Sequence, residues 1–216
     1  MSQNYFLQDE AYRYLSDQVR SGGMEPGKTY SLNTIARELR MSRTPVRDAL
    51  QKLAQEGLVE SLPSRGFRLK TMSDQQVWEL YQIRCALEGY CCRQLAQRPE
   101  DPDFFAELQA NLDRQRQAAE QGEGVIRFLE IDRAFHHLLL ARLGNGELEK
   151  ILENDQDRIN GFALTSLRRE GILEQVCREH EEIASALRRG APEAAEAAML
   201  RHLKTAICPW PPEAER

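Results

Sequence analysis

Apolar residues recur at helical spacing along most of this chain. The stretch 11–19 sets Tyr14, Leu15 and Val19 on one face, which predicts a first amphipathic helix. Gly22-Gly23 ends it, and Glu25-Pro26-Gly27 makes a turn. Leu32, Ile35, Ala36 and Leu39 mark a second helix, with Ser31 placed to cap it. Arg40-Met41 is a tight break. Ser42 then opens a third helix, with Pro45 in its first turn and Val46, Ala49, Leu50 and Leu53 inward. After Gly57 the period changes to two. Residues 58–62 and 66–70 read as strands of a hairpin turning at Pro63-Ser64. Residues 71–74 read as a linker, with Ser73 placed to cap a fourth helix.

From there to about Ile207 no strand pattern occurs. Six segments, near 74–97, 101–120, 124–142, 146–168, 172–189 and 192–207, carry apolar residues at helical spacing. They are broken at Pro99 and Pro102, Gly122 and Gly124, Gly144-Asn145-Gly146, Gly171, and Gly190 with Pro192. The expected fold is therefore mainly α. A winged helix-turn-helix occupies residues 1–72, and a six-helix antiparallel bundle occupies 73–216, with a frayed tail from Pro209-Trp210-Pro211-Pro212.

Charge sharpens this division. A net charge of −5 does not suggest a nucleic-acid partner. Yet the first 70 residues carry 11 Lys and Arg against 8 Asp and Glu, and the remainder carry 18 against 26. A mildly basic module joined to an acidic one fits DNA reading by the first and a different task for the second. No apolar run approaches membrane-spanning length and no signal-peptide pattern opens the chain, so a cytoplasmic protein without membrane contact is expected. The five cysteines (Cys85, Cys91, Cys92, Cys177 and Cys208) lack C-x-x-C spacing, which argues against a disulfide framework and a thiolate zinc site. Cys85, Cys91 and Cys92 read as small fillers on one helix.

The third helix carries the first candidate chemistry. Arg43 and Arg47 are four apart and lie together, away from the Val46/Leu50/Leu53 face. With Thr44 they stand at the N-terminal end of a helix suited to a major groove, where end residues reach base edges. Arg65, beside Gly66 at the hairpin tip, is placed to reach a minor groove or a phosphate. A solvated helix face with two surface arginines is the plainer alternative for the helix taken alone.

The run GGMEPGKTYSLNTIARELRMSRTPVRDALQKLAQEGLVESLPSRGFRL resembles the DNA-binding domain of GntR-family bacterial transcription regulators. That family shares a PG turn, an LA-x-x-L helix, an SRTPVR-x-AL recognition helix and an RG wing tip. Ile35-Ala36 stands here for Leu-Ala, and Asp48 for the commoner Glu. The resemblance implies operator contacts from Arg43, Thr44, Arg47 and the Arg65-Gly66 tip. One winged helix reads few base pairs, so a homodimer on a pseudo-palindromic double-stranded operator is expected.

The second candidate lies among the four histidines, none of them in the first 70 residues. Asp132 and His136 are four apart on one helix face, which also meets Leu129 and Leu139-Leu140 and so points inward. His180 lies ten residues before the turn at Gly190, and His202 twelve after it, so antiparallel helices bring them level. One carboxylate and three imidazoles in a bundle interior suit a divalent metal, with zinc, nickel and manganese all admissible. Buried histidines satisfied by a carbonyl or carboxylate are the alternative.

The segments FLEIDRAFHHLL, REHEEIASALRRG and AAMLRHL resemble the metal-ligand segments of the FCD effector domain, found in the FadR-type branch of the GntR family. The resemblance implies ligands Asp132, His136, His180 and His202, and gives His137 no such role. YQIRCALEGYCCRQLA resembles that domain's first helix, whose Arg, here Arg84, often faces the ligand pocket. A small carboxylic acid is the implied effector, held by the metal and by a bidentate pair with Arg84. A regulator with a metal-free pocket is one rival. A metalloenzyme is the other, disfavoured because no H-E-x-x-H and no nucleophile is in sight.

Overall fold

A computed structural model describes residues 2–20, 23–25, 27–56, 58–63, 65–70, 72–98 and 101–207. The chain divides into two compact units, Met1–Thr71 and Met72–Arg216.

The first unit is built from α1 (Ser2–Arg20), β1 (Thr29–Tyr30), α2 (Leu32–Glu38), α3 (Arg43–Gln55), β2 (Val59–Leu62) and β3 (Gly66–Leu69). Helix α1 starts well before the predicted Ala11. Ser31 caps α2 as expected, its hydroxyl accepting from the Thr34 N–H at 3.1 Å. Ser42 differs: its backbone is that of an N-cap, but its side chain makes no capping bond. Between these helices Arg40 takes φ +53°, and the Met41 N–H returns to the Ala36 carbonyl at 2.9 Å, which makes the tight break. Ala11, Leu15, Ile35, Val46, Leu50 and Phe67 meet in one core.

The hairpin gains a third strand that no periodicity announced. β1, two residues long, pairs antiparallel with β3, giving the order β1-β3-β2. Gly66 has φ +119°, and a Cβ there would lie 2.2 Å from the Tyr30 carbonyl oxygen. Only glycine lets β3 start this close to β1.

Among the described residues the second unit holds seven helices where the apolar spacing predicts six. They are α4 (Asp74–Leu95), α5 (Pro102–Gln121), α6 (Val125–Leu143), α7 (Gly146–Asn154), α8 (Gln156–Ser166), α9 (Ile172–Arg188) and α10 (Pro192–Ile207). The expected helix over 146–168 is broken at Asp155. Asn154 and Asp155 are poor helix formers whose short polar side chains favour breaks. The Asp155 backbone leaves the helical region at φ −96°, ψ 3°, and its carboxylate pairs with Arg158 in the next turn. Ser73 caps α4 in a reciprocal capping box with Gln76. Gly190, at φ +60°, reverses the chain between α9 and α10.

Helix α10 packs along α4 and α9, α5 along α6 and α9, and α4 against α6. Cys91 and Cys92 are buried fillers in this core and Cys85 is half-buried. No described helix is long and apolar enough to cross a membrane. The expectations placed on Gly22, Pro26, Gly57, Ser64, Thr71, Pro99, Cys208 and the proline-rich tail lie outside the described residues.

Candidate functional site

Three helices of the second unit converge on one buried polar cluster. Asp132 and His136 project from α6, His180 from α9 and His202 from α10, and one donor atom from each lies within 4.8 Å of all the others. The level placement of His180 and His202 across the Gly190 turn follows the sequence argument, with their Nε2 atoms 3.2 Å apart. His136 Nε2 is 3.2 Å from His202 Nε2, and Asp132 Oδ1 is 3.8 Å from His180 Nε2. His180 is fully buried and stacks on Phe135, ring centroids 3.8 Å apart.

The surroundings fix which nitrogen of each ring carries its proton. Asn111 on α5 donates through Nδ2 to the Ile131 carbonyl at 3.1 Å, so its Oδ1 accepts from Gln115 Nε2 at 2.7 Å. Gln115 must then turn Oε1 toward His180 Nδ1, 2.8 Å away. An amide oxygen only accepts, so the proton sits on Nδ1. His202 Nδ1 donates in the same sense to Glu179 Oε2 at 3.0 Å, and His136 Nδ1 to Glu88 Oε2 at 2.5 Å. Burial would raise the Glu88 carboxyl, but the Arg84 guanidinium and His136 outweigh it and hold the acid well below the usual range. Glu179 is likewise held low: burial opposes ionisation, and bonds from His202, Thr205 and Gln175 overcome it.

All three Nδ1 protons are thus used outward, and three Nε2 lone pairs face one another. Burial pushes His180 well below the ordinary imidazole value and also lowers His202, so neither readily takes a proton to relieve the repulsion. A cation does relieve it. Nitrogens bound tetrahedrally at about 2.1 Å to one zinc-like ion lie ~3.4 Å apart, close to the spacing here. Ligating histidines also characteristically donate their other N–H to a carboxylate or carbonyl. The residues present fit a divalent metal.

Asp132 and His136 also line a cavity of about 30 Å³, walled by α7 and α8 through Leu152, Gln156, Ile159 and Asn160. Arg84, predicted for the effector, lines it too. Its Nε donates to Glu88 Oε1 at 2.6 Å, and Nη2 lies 3.5 Å from both ring nitrogens of His136. His137 is exposed at the rim, 3.9 Å from Glu153. Glu88, Gln115 and Glu179 were not foreseen. The faint signal was position: Glu88 follows Arg84 by four, and Glu179 adjoins His180 on an inward face.

In the first unit Arg43, Thr44 and Arg47 are exposed at the start of α3, and Arg65 is exposed at the hairpin tip. Among the described residues these arginines make no ion pair and no side-chain hydrogen bond. Gly66 is half-buried against β1.

A chain with a three-stranded winged helix-turn-helix and a helical domain that gathers a buried Asp and three His is a DNA-binding regulator in architecture. Comparison with known proteins gives the family. The model of bacterial regulatory proteins of the gntR family matches residues 7–69, and that of the FCD domain matches residues 79–205. The HTH-type transcriptional repressor RspR of Escherichia coli strain K12 is 30% identical over 199 residues, 92% of this chain and 86% of that protein. The HTH-type transcriptional regulator YdhC of Bacillus subtilis is 26% identical over 198 residues, 92% of this chain and 87% of that one. Among solved structures, E. coli McbR/YncC superposes with a TM-score of 0.66 at 24% identity, over 92% of this chain and 93% of that one, a likeness of fold. The chain belongs to the GntR family of transcriptional regulators, with an FCD domain following its DNA-binding domain. It is a regulator and not an enzyme, as its relatives are.

Proposed function

We propose that this regulator binds a divalent metal through Asp132, His136, His180 and His202 and uses that centre to sense a small carboxylic acid. The observation that supports it best is the set of three Nε2 lone pairs turned to one point beside a cavity. A bound divalent ion supplies positive charge and open coordination positions for an acid's oxygens. The chain's own residues hold the imidazoles in their tautomers through Glu88, Gln115 and Glu179. Arg84, anchored by Glu88, offers its remaining N–H groups to the acid's carboxylate.

The DNA-reading residues in this proposal are Arg43, Thr44 and Arg47, with Arg65 at the wing; the bound form is a cytoplasmic homodimer on a pseudo-palindromic operator. Gly66 serves the wing through its close approach to β1. Effector and operator binding are linked, so each changes the other's affinity by the same factor. Elemental analysis of untagged protein tests the centre. Wild type and His137→Ala should hold near-equal metal, and His180→Ala and His202→Ala little. Equal metal in all four discards the site.

A further inference from the structure

We propose that Asn160 on α8, with Gln156 one turn before it, forms a second recognition point in the cavity that reads a hydroxyl on the effector. This rests on the reading of the cavity as a metal-centred acid site, and it adds what that reading lacks, a reason to prefer one acid over another. Asn160 is 7% exposed and lines the cavity. Its Oδ1 accepts from Gln156 Nε2 at 2.8 Å. Its amide N–H groups have no partner among the described residues. A buried donor left unpaired is destabilising, and here it stands at a cavity wall with room for a guest to satisfy it.

Gln156 adds the complementary half. Its amide nitrogen is spent on Asn160, and its Oε1 has no partner among the described residues. A free amide donor next to a free amide acceptor matches a hydroxyl, which accepts one hydrogen bond and gives another. A second carboxylate matches less well. Glu149, Glu153 and Arg133 also line the cavity. Space limits the guest further: a cavity of about 30 Å³ must open at its walls even for a three-carbon acid, which favours the shortest acids. The chemistry that fits is a short 2-hydroxy acid with one more hydroxyl, its carboxylate end at Arg84 and its far hydroxyl at Asn160.

Glycerate and lactate differ only by the hydroxyl on C3, so they form a matched pair of probes. Calorimetric titration of the metal-loaded full chain with both enantiomers of each should show glycerate binding about tenfold more tightly than lactate. In Asn160→Ala and Asn160→Leu, which remove the amide without adding charge, that preference should vanish, with lactate affinity and metal content unchanged. Equal affinity for the two acids in wild type, or equal loss of both in the variants, overturns the inference and leaves the metal-centred site standing. Protein that retains no metal, or binds neither acid up to millimolar concentration, overturns the parent reading and this one with it.

Discussion

Arginine is used in opposite ways in the two units. In the winged unit Arg43, Arg47 and Arg65 stand exposed, with no side-chain partner among the described residues. In the helical unit Arg84 is buried, bonded to Glu88 and set against His136. A cation waiting for a polyanion gains by staying hydrated and unpaired until phosphates or base edges replace its water. A cation that shapes a site is needed in one position, so it is desolvated and fixed by a carboxylate, at a cost in burial that the pair must offset. On the proposed reading the same side chain serves contact in one unit and geometry in the other.

Removing the metal tests this contrast most severely. If the buried unit is organised around an ion, chelation should lower the stability of the helical unit by about 4 kcal/mol under conditions of a thousandfold excess over Kd. Hydrogen exchange resolved by segment should show α6, α9 and α10 losing protection while α2 and α3 keep theirs. Uniform loss in both units would mean that the two do not differ in this respect. Next in size is Gly66→Ala, which asks for a Cβ 2.2 Å from a backbone oxygen at φ +119°. It should destabilise the winged unit by about 3 kcal/mol and leave metal content unchanged, read by exchange in β1–β3 and by elemental analysis. The smallest effect is expected of Arg43→Ala and Arg47→Ala. Each should weaken specific operator binding by about 1–3 kcal/mol in a competition assay without altering the melting temperature. A fall in melting temperature would show that these arginines work inside the fold.

The histidine cluster was legible because its members are rare and their spacing is rigid. Asp132 and His136 share a helix face by arithmetic, and Gly190 sets His180 level with His202. The residues that orient them were not legible. Glu88, Gln115 and Glu179 are polar types that ordinarily mark a solvated face, and nothing in a single helix says that its polar residue meets an imidazole from another. The break at Asp155 was hidden for a related reason. Apolar spacing continues across 146–168, and neither glycine nor proline interrupts it at Asp155. Strand β1 is only two residues long, too short for any period.

The chain of bonds from the Ile131 carbonyl through Asn111 and Gln115 to His180 ties α6, α5 and α9 together. Leucine-lined helices slide past one another with little penalty, since one apolar ridge resembles the next. A hydrogen-bonded relay does not slide. Shifting α5 by one turn, about 5.4 Å, would leave two amides and an imidazole buried without partners, at roughly 1–3 kcal/mol for each. These polar side chains therefore act as a registration pin for the bundle. The alignment of the helices is decided before any ligand arrives, and the imidazoles reach the centre already aimed.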